Sequence, residues 1–416
     1  MGRSVPVGFT FSKSVDGNRS CVATEESAYV RTYSFTGSKM GGKYGGQLAL
    51  ARGTLIIGTD ALDGVVGDRS RGFVEIKDLA TGSSQSFQGS DYEQLGVSLG
   101  ISEDGKTASA GHRSGVRIFS LVDGNWKITA EVVPDLQIDM SIAPRITMSK
   151  DGRTIALGLP FFDNPDDGTL QSVGAVVVYR LQGDHGSNTW KKVGRALIGE
   201  KINQQLGISI SLSLEGEIMT VASAIPIYRK GSVQRYEFNG VAWEPTGQLL
   251  FGEDRGDAFG WSHSLSSDGT ALVVGAQQLQ SGKESPGYVK VYRYHGSEWF
   301  QTGKRLDGDS TSMFGNSFGK NVDIAVLGNG NLRIVVGDPS YQNGQVPVRG
   351  LVRVYESTGG VNDDFNQISE DIVGDVEQQA LGEAVVISSD GCQIAMGGPV
   401  FGVSNIAKVV YVYELQ

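Results

Sequence analysis

Short turn dipeptides recur along the whole length of this chain. In each one an acidic residue or Asn precedes Gly between two alternating apolar segments. Such a pair is a strong signal for a tight β-hairpin, because the turn needs a residue with positive φ. Seven copies in register, with Arg52-Gly53 as a weaker eighth, indicate repeats of one β unit. The copies are Asp16-Gly17, Asp104-Gly105, Asp151-Gly152, Glu215-Gly216, Asp268-Gly269, Asn329-Gly330 and Asp390-Gly391.

Three more strands belong to each unit. An apolar run ending in Gly follows the turn, as at 272–275, and being apolar on both faces it predicts a strand sandwiched between neighbouring sheets. A Gly-x-Val-x-Val-Tyr segment with period two comes next, as at 287–292, with weaker versions of its strand at 30–35 and 73–76. Tryptophans mark a fourth strand: Trp126, Trp190, Trp243 and Trp299.

Four strands per unit without helical periodicity predict an all-β fold, a single closed β-propeller of four-stranded antiparallel blades spanning 1–416. We count eight repeats, with seven blades as the alternative because the first repeat is short after Phe35. The approximate repeats are 6–40, 41–91, 92–135, 136–200, 201–254, 255–310, 311–375 and 376–416.

The last repeat reaches Gln416 directly after its third strand. A closed ring can complete that blade with a strand from the amino-terminal end, and 1–7 precedes the first inner strand. Such closure removes exposed sheet edges. We therefore predict a ring closed by an N-terminal strand.

Composition excludes several classes of function. With 59 Gly and only 11 Pro, the chain is rich in tight turns. The net charge of −10 and the lack of a dense Lys/Arg cluster argue against nucleic-acid binding. No apolar run reaches the ~18 residues of a membrane span, and 1–9 does not read as a signal peptide. The compartment stays open, with the cytoplasm as the default unless a leader has been removed.

The two cysteines, Cys21 and Cys392, fall in the first and last repeats. A closed ring makes those repeats neighbours. The cysteines lie at different offsets from their turns, however, so their heights should not match. We therefore expect buried free thiols in preference to a disulfide.

Alternation of strand direction divides the connections between two faces. The turns between first and second strands and those between third and fourth strands lie on one face of the ring, which we call the turn face. The loops between second and third strands and the links between blades lie on the opposite face, which we call the link face. Long loops on a rigid scaffold usually carry binding, and several second-to-third loops are long. We predict a partner-binding surface there, with these candidate residues: Phe161, Phe162, Asp163, Asp166, Asp167, Gln278, Lys283, Tyr341, Asn343, Arg349 and Phe401.

The sequence shows few signs of a catalytic or metal-binding site. The four histidines fall at non-equivalent repeat positions, and the grouped loop acids do not match a calcium-loop spacing. The tripeptide 255–257, Arg-Gly-Asp, is read as part of the repeat, because acid-Gly or Gly-Asp recurs before each new blade. We predict no catalytic residues, no metal and no cofactor.

The aligned repeats resemble those of the FG-GAP family, whose propellers include the integrin alpha-subunit head. Phe259-Gly260 with Ser262 and Phe314-Gly315 with Ser317 carry the resemblance, with Leu95-Gly96, Leu206-Gly207 and Leu381-Gly382 as weaker copies. The resemblance implies a propeller and, in integrin-like members, ligand binding on the link face. The sequence departs from the family because it lacks the D-x-D-x-D-G calcium loop between the first two strands, so calcium is not expected there.

We predict a non-catalytic interaction module that binds a protein through the link face. The alternatives are a carbohydrate-binding or adhesion module and an enzyme acting at the central channel. Neither nucleic-acid binding nor membrane insertion is expected.

Overall fold

A computed structural model describes the chain over residues 21, 27–37, 44–59, 70–136, 143–165, 171–183, 189–223, 230–278, 286–309, 317–342, 348–359, 363–399 and 408–416. Throughout these residues the regular structure is β-strand. Seven antiparallel sheets, the blades, hold all thirty strands of the described residues.

The first strand in the chain, β1 (Tyr29–Thr36), belongs to the last blade. Blade 1 contains β2 (Gln47–Ala51), β3 (Thr54–Thr59), β4 (Phe73–Asp78) and β5 (Ser84–Gln88). Blade 2 contains β6 (Leu99–Ile101), β7 (Thr107–His112), β8 (Gly115–Val122) and β9 (Asn125–Val132). Blade 3 contains β10 (Arg145–Met148), β11 (Thr154–Leu159), β12 (Ala175–Gln182), β13 (Thr189–Lys192) and the short β14 (Leu197–Ile198).

Blade 4 contains β15 (Leu206–Leu212), β16 (Ile218–Ser223), β17 (Ser232–Phe238) and β18 (Trp243–Phe251). Blade 5 contains β19 (Phe259–Leu265), β20 (Ala271–Ala276), β21 (Tyr288–His295) and β22 (Glu298–Asp307). Blade 6 contains β23 (Asn321–Val326), β24 (Leu332–Asp338), β25 (Leu351–Ser357), β26 (Phe365–Gln367) and the short β27 (Ile372–Val373). Blade 7 contains β28 (Ala384–Ile387), β29 (Gln393–Gly398), β30 (Val409–Leu415) and, outermost, β1.

The Ser-x-Asp-Gly sequences form the predicted tight turns between first and second strands. In blade 2 the Ser102 hydroxyl donates to Asp104 Oδ1 at 2.6 Å, and Ser102 Oγ accepts from the amide of Thr107 at 2.9 Å. Gly105 takes φ +70°, which an L side chain rarely adopts. The turns at 149–154, 266–271 and 388–393 repeat these bonds.

The apolar core of the protein lies between adjacent blades. The innermost strands contact one another in the order β2, β6, β10, β15, β19, β23, β28 and back to β2, which closes the ring. Among the described residues seven apolar clusters occur, and each lies between two adjacent blades. Second strands such as β11 and β20 are buried on both faces, as their continuous apolar sequence predicted.

The ring has seven blades, so the count of eight repeats was wrong and the seven-blade alternative is confirmed. The error lies in the stretch assigned to a first repeat at 6–40. Its segment 30–35, taken for a third strand, is part of β1 and completes blade 7 by pairing with β30. Closure by an N-terminal strand is therefore confirmed. Residues 1–7, proposed for that role, lie outside the described residues.

A disulfide joins Cys21 to Cys392, with their Cα atoms 5.2 Å apart, so the expectation of free thiols was wrong. The expectation compared the position of each cysteine within its repeat, and it assigned Cys21 to a first repeat that does not form a blade. Cys21 instead precedes β1, which lies in the same blade as Cys392. The height of Cys21 is thus set by blade 7.

Candidate functional site

Three glycine-containing elements of the repeat meet on the link face. The glycine before the third strand lies between the glycine after the last strand of its own blade and the Leu or Phe that enters the next blade. At Gly174, for example, Gly199 N donates to Gly174 O at 2.9 Å and Leu206 N donates to Val173 O at 3.0 Å. We call this arrangement the glycine junction. Its central residues are Gly72, Gly174, Gly231, Gly287 and Gly350.

Only glycine fits the centre of a junction. Gly174 has φ +80°, and a Cβ there would lie 2.3 Å from both the amide nitrogen and the carbonyl oxygen of Leu206. The junction therefore ties the end of each second-to-third loop to the following inter-blade link. The second-to-third loops and the inter-blade links are therefore both fixed at the backbone of the junction.

The blade 5 to blade 6 junction corrects the alignment behind the FG-GAP resemblance. Phe318 and Gly319 occupy the entering position there, since a Cβ on Gly287 would lie 2.5 Å from Phe318 O. Phe318 is fully buried and Gly319 N donates to Gly337 O. Phe314-Gly315, quoted as the carrier, lies outside the described residues.

A side-chain oxygen two residues before the entering Leu or Phe caps the link. Gln204 Oε1 accepts from the amides of Glu200 and Lys201 at 2.8 and 3.2 Å. These hydrogen bonds hold the link in one backbone conformation when no partner is bound. The same bond is made by Glu93 to the amide of Ser90, by Asp257 to that of Asp254 and by Gln379 to that of Val376.

The acidic residue that follows the glycine at the start of a link pairs with a cation of the blade that the link enters. Asp375 contacts Arg31 of β1 at 2.6 Å, and the hydrogen bond from this guanidinium lowers the pKa of Asp375. Glu253 contacts Lys290 of β21 at 2.8 Å, and that hydrogen bond lowers the pKa of Glu253. Asp309 pairs in the same way with Arg353 of β25. The recurring Gly-Asp and Gly-Glu sequence therefore orients successive blades.

Apolar side chains project from several of these links. A partner that covers such side chains gains free energy by removing their apolar surface from water. The link residues and their exposed fractions are Tyr92 at 59%, Val133 at 53%, Ile202 at 48% and Val376 at 42%.

Three of these links follow the same unusual backbone path. Tyr92, Asn203 and Gln378 have φ of +64°, +54° and +61°. Each is followed two residues later by a second positive-φ residue, Gln94, Gln205 or Ala380. Non-glycine residues adopt this conformation at a cost of order 1–3 kcal/mol each, and such strain concentrates at functional sites.

Most of the predicted site residues that the structure describes fix the ends of the long second-to-third loops. Phe162 is buried in the apolar cluster between blades 2 and 3, and its carbonyl accepts from Gly174 N. Asp163 accepts from the amide of Ser172 at 2.6 Å. Tyr341 O accepts from the amides of Arg349 and Gly350 at 3.1 and 3.3 Å, and so joins the two ends of its loop.

Phe161, Tyr341 and Arg349 are half-buried on the link face, whereas Gln278 is buried beneath it. Gln278 Nε2 donates to Asp257 Oδ1 at 3.3 Å and thereby supports a link cap. The remaining candidates, Asp166, Asp167, Lys283, Asn343 and Phe401, lie outside the described residues.

The Arg-Gly-Asp tripeptide at 255–257 has a structural role. Asp257 is 3% exposed. Its Oδ2 accepts from the amide of Asp254 and from the hydroxyl of Tyr288, both at 2.7 Å. This carboxylate is committed to the link and does not face a receptor.

A central cavity of about 350 Å³ is lined by the inner strands of all seven blades. Among the acidic residues that line it, Asp323 accepts from the hydroxyl of Ser264 at 2.7 Å and from the amide of Ile387 at 2.9 Å. Ser211 Oγ accepts from the amide of Leu265 at 3.0 Å. These polar groups therefore connect blades 4 to 7.

Sequence reasoning missed the exposed apolar residues of the links. It looked for binding groups in the second-to-third loops, where length is visible in the sequence. The available signal was an apolar residue between the Gly-acid pair and the following Leu-Gly, as in 199–207 and 374–382. What the sequence does not report is that these residues share a face with the long loops.

The chain is thus a seven-bladed β-propeller with a rigidly built link face. No protein-family model matches it, and no curated protein matches its sequence. A chain of the solved structure titled "Crystal Structure of Mitotic Checkpoint Complex" matches with a TM-score of 0.54 and 10% identity, over 100% of this chain and 98% of that chain. At this identity the likeness shows the fold alone. No family model confirms the FG-GAP resemblance, which stays a prediction from the sequence.

Among the described residues there is no helix with the length and apolar character of a membrane span. They also contain no cluster of three or more His, Cys, Asp or Glu side chains arranged to hold a metal ion.

Proposed function

We propose that this chain is a non-catalytic propeller that binds a protein partner through its link face. The observation that carries the proposal is the set of exposed apolar side chains on links whose backbone is already fixed. Tyr92, Ile202 and Val376 project from three of them. The caps and glycine junctions order these links before any partner arrives, which lowers the entropic cost of binding.

The surroundings of these side chains fit a protein interface. Aromatic and aliphatic anchors within a polar rim are the usual composition of binding hot spots. Asp375, which precedes the anchor Val376 in the chain, is partly exposed and adds a charged group beside it. The solved neighbour is, by its title, part of a complex, which is compatible with an interaction role.

The test compares two sets of surface substitutions. Tyr92→Ser, Ile202→Ser and Val376→Ser are combined to remove the link-face anchors. Leu214→Ser and Val241→Ser form the matched control, because both residues are exposed in turns of the opposite face. Both variants should unfold within about 2 °C of the wild type, since exposed substitutions change stability little.

Each protein is used as bait in an extract of the source organism, and bound proteins are cross-linked and mapped by mass spectrometry. We expect the triple variant to retain less than a tenth of the wild-type capture and the control to retain all of it. Cross-links that map to the turn face, or equal capture by all three baits, contradict the proposal. Glycan-array binding that the triple variant loses assigns the face to carbohydrate instead.

A further inference from the structure

The covalent chain runs continuously around the ring except at one place inside blade 7. There β1, from one end of the chain, pairs with β30, from the other. The ladder runs from Tyr29 opposite Leu415 to Thr36 opposite Val409. We call this contact between β1 and β30 the seam. Backbone hydrogen bonds between Ala28 and Gln416 extend it by one residue.

The disulfide spans the seam. Cys21 lies on the β1 side, and Cys392 lies at the turn between β28 and β29 on the other. With the bridge formed, residues 21 to 392 become a covalently closed circle that contains all seven inner strands. Both cysteines are half-buried, so the bridge is within reach of small thiols.

The turn that carries Cys392 is independently anchored to the same terminal segment. The carbonyl of Gly391 accepts from the hydroxyl of Tyr29 at 2.5 Å and from Nη1 of Arg333 at 2.7 Å. Arg333 is fully buried and pairs with Glu356 at 2.5 Å. Contacts other than the disulfide therefore hold this turn beside the terminal segment, which keeps Cys392 within the distance that a disulfide requires.

We propose that Cys21–Cys392 is a native clasp that closes the propeller covalently, and that this chain consequently acquires its final form in an oxidising compartment. Disulfides persist in such compartments and are reduced in the cytosol. In forming, the two thiols lose two protons and two electrons to a disulfide oxidant, which is itself reduced to two thiols. Both cysteines of the chain are consumed, so no third thiol competes for the pairing.

The first experiment measures the bond. Full-length protein is equilibrated in a glutathione buffer at the poise of the endoplasmic reticulum. It is then alkylated and digested without reduction. We expect more than nine-tenths of the molecules to yield the peptide joining Cys21 to Cys392. Two alkylated thiols in most molecules overturn the proposal.

The second experiment asks whether the bond acts as a clasp. Reduction of the folded wild type should lower Tm by about 5 °C, because the released chain regains the entropy of a very long loop. Amide exchange in β1 and β30 should accelerate at least tenfold while that in β19 and β20 stays unchanged. Unchanged exchange at the seam on reduction overturns the clasp.

Cys21→Ser, Cys392→Ser and the double variant provide the matched set. Each should shift Tm equally, and the double variant should add nothing, because all three remove the same bond. Additive shifts show that the thiols act separately and contradict the proposal. If the variants do not fold, reduction of the folded wild type remains decisive.

Discussion

At the scale of single residues, buried and half-buried polar groups fix a link, as Asp257 does, or join neighbouring blades, as Asp323 and Arg333 do. Asp257 and Asp323 each collect several donors, and Arg333 holds Glu356 and the carbonyl of Gly391. Buried charges are stable only when they are paired and hydrogen-bonded in this way. Removing one partner from such a group costs more than the bond itself, because the other partner stays buried.

His263 gives a testable consequence of burial. Its Nε2 lies 3.0 Å from Thr220 Oγ1, and burial lowers the pKa of the imidazole from 6.5 to about 4. The neutral form is therefore favoured in the folded state, so this residue contributes stability above about pH 6.5 that is lost as the pH falls towards 4. We expect a loss of about 2 kcal/mol between pH 7.5 and pH 5 by urea unfolding.

His263→Gln removes this titration and should flatten that part of the pH dependence. His295→Gln is the matched control for the His-to-Gln change itself, because His295 is exposed at the end of β21. Equal pH profiles for wild type and His263→Gln contradict the assignment.

At the scale of elements, the blades are joined by contacts that recur around the ring. Gln85 of β5 holds the backbone of Trp126 in β9, with its Oε1 accepting from Trp126 N at 2.6 Å. Gln248 of β18 holds Trp299 of β22 in the same way at 2.7 Å. Closer to the axis, the glycine that ends a second strand touches the glycine that enters the next blade. Blade spacing is thus set where backbones meet without side chains.

Gly275 in β20 tests this spacing. A Cβ at this position would lie 1.9 Å from the carbonyl oxygen of Gly319 in the link that enters blade 6. Because the obstacle is backbone, Gly275→Ala must separate the two blades, and we expect it to cost about 3 kcal/mol of unfolding free energy.

Gly330→Ala is the control. Its added Cβ meets open space, and only the positive φ of 83° opposes it, at about 1 kcal/mol. Denaturant unfolding of both variants measures the difference. Equal losses would mean that inter-blade contact at Gly275 is not the limiting distance.

At the scale of the whole molecule, the seam makes blade 7 depend on both ends of the chain. Ala28 and Gln416 lie side by side through two hydrogen bonds of 3.0 and 2.9 Å. Strands so placed can be joined by a two-residue turn, of which Asn-Gly is the favoured kind. Because the start of β1 lies beside the end of β30, the chain can be rejoined at this point in a circular permutant.

We therefore expect a circular permutant to fold. It begins at Gly37, continues to Gln416, passes through Asn-Gly and ends with 28–36, so that β30 and β1 become an ordinary hairpin. Its circular dichroism spectrum and Tm should approach those of reduced wild type, since Cys21 is absent. The matched control begins at Gly37 and ends at Gln416, which leaves β30 as an open edge. It should aggregate or melt at lower temperature.

A permutant no more stable than the truncated control would show that β1 does not complete blade 7. This comparison is independent of the disulfide, because neither variant contains Cys21.

The repeat by itself determined much of this protein: the all-β class, the four strands of each blade, the tight turns and the need for an N-terminal strand to close the ring. These features follow from local chemistry, because turn residues and apolar alternation act over a few neighbouring positions. The elements of the glycine junction were also visible, as Gly-x-Val-x-Val-Tyr, Gly-Asp and Leu-Gly, but their meeting point was not.

Tertiary structure alone decided which blade owns the segment at 30–35, that Cys21 meets Cys392, and that Phe318-Gly319 enters blade 6. It also placed Tyr92, Ile202 and Val376 on the face of the long loops. The physical reason is that these outcomes depend on how residues far apart in the chain approach one another. Closure brings Cys21 and Cys392 together across a sequence separation of 371, and no local pattern encodes that contact.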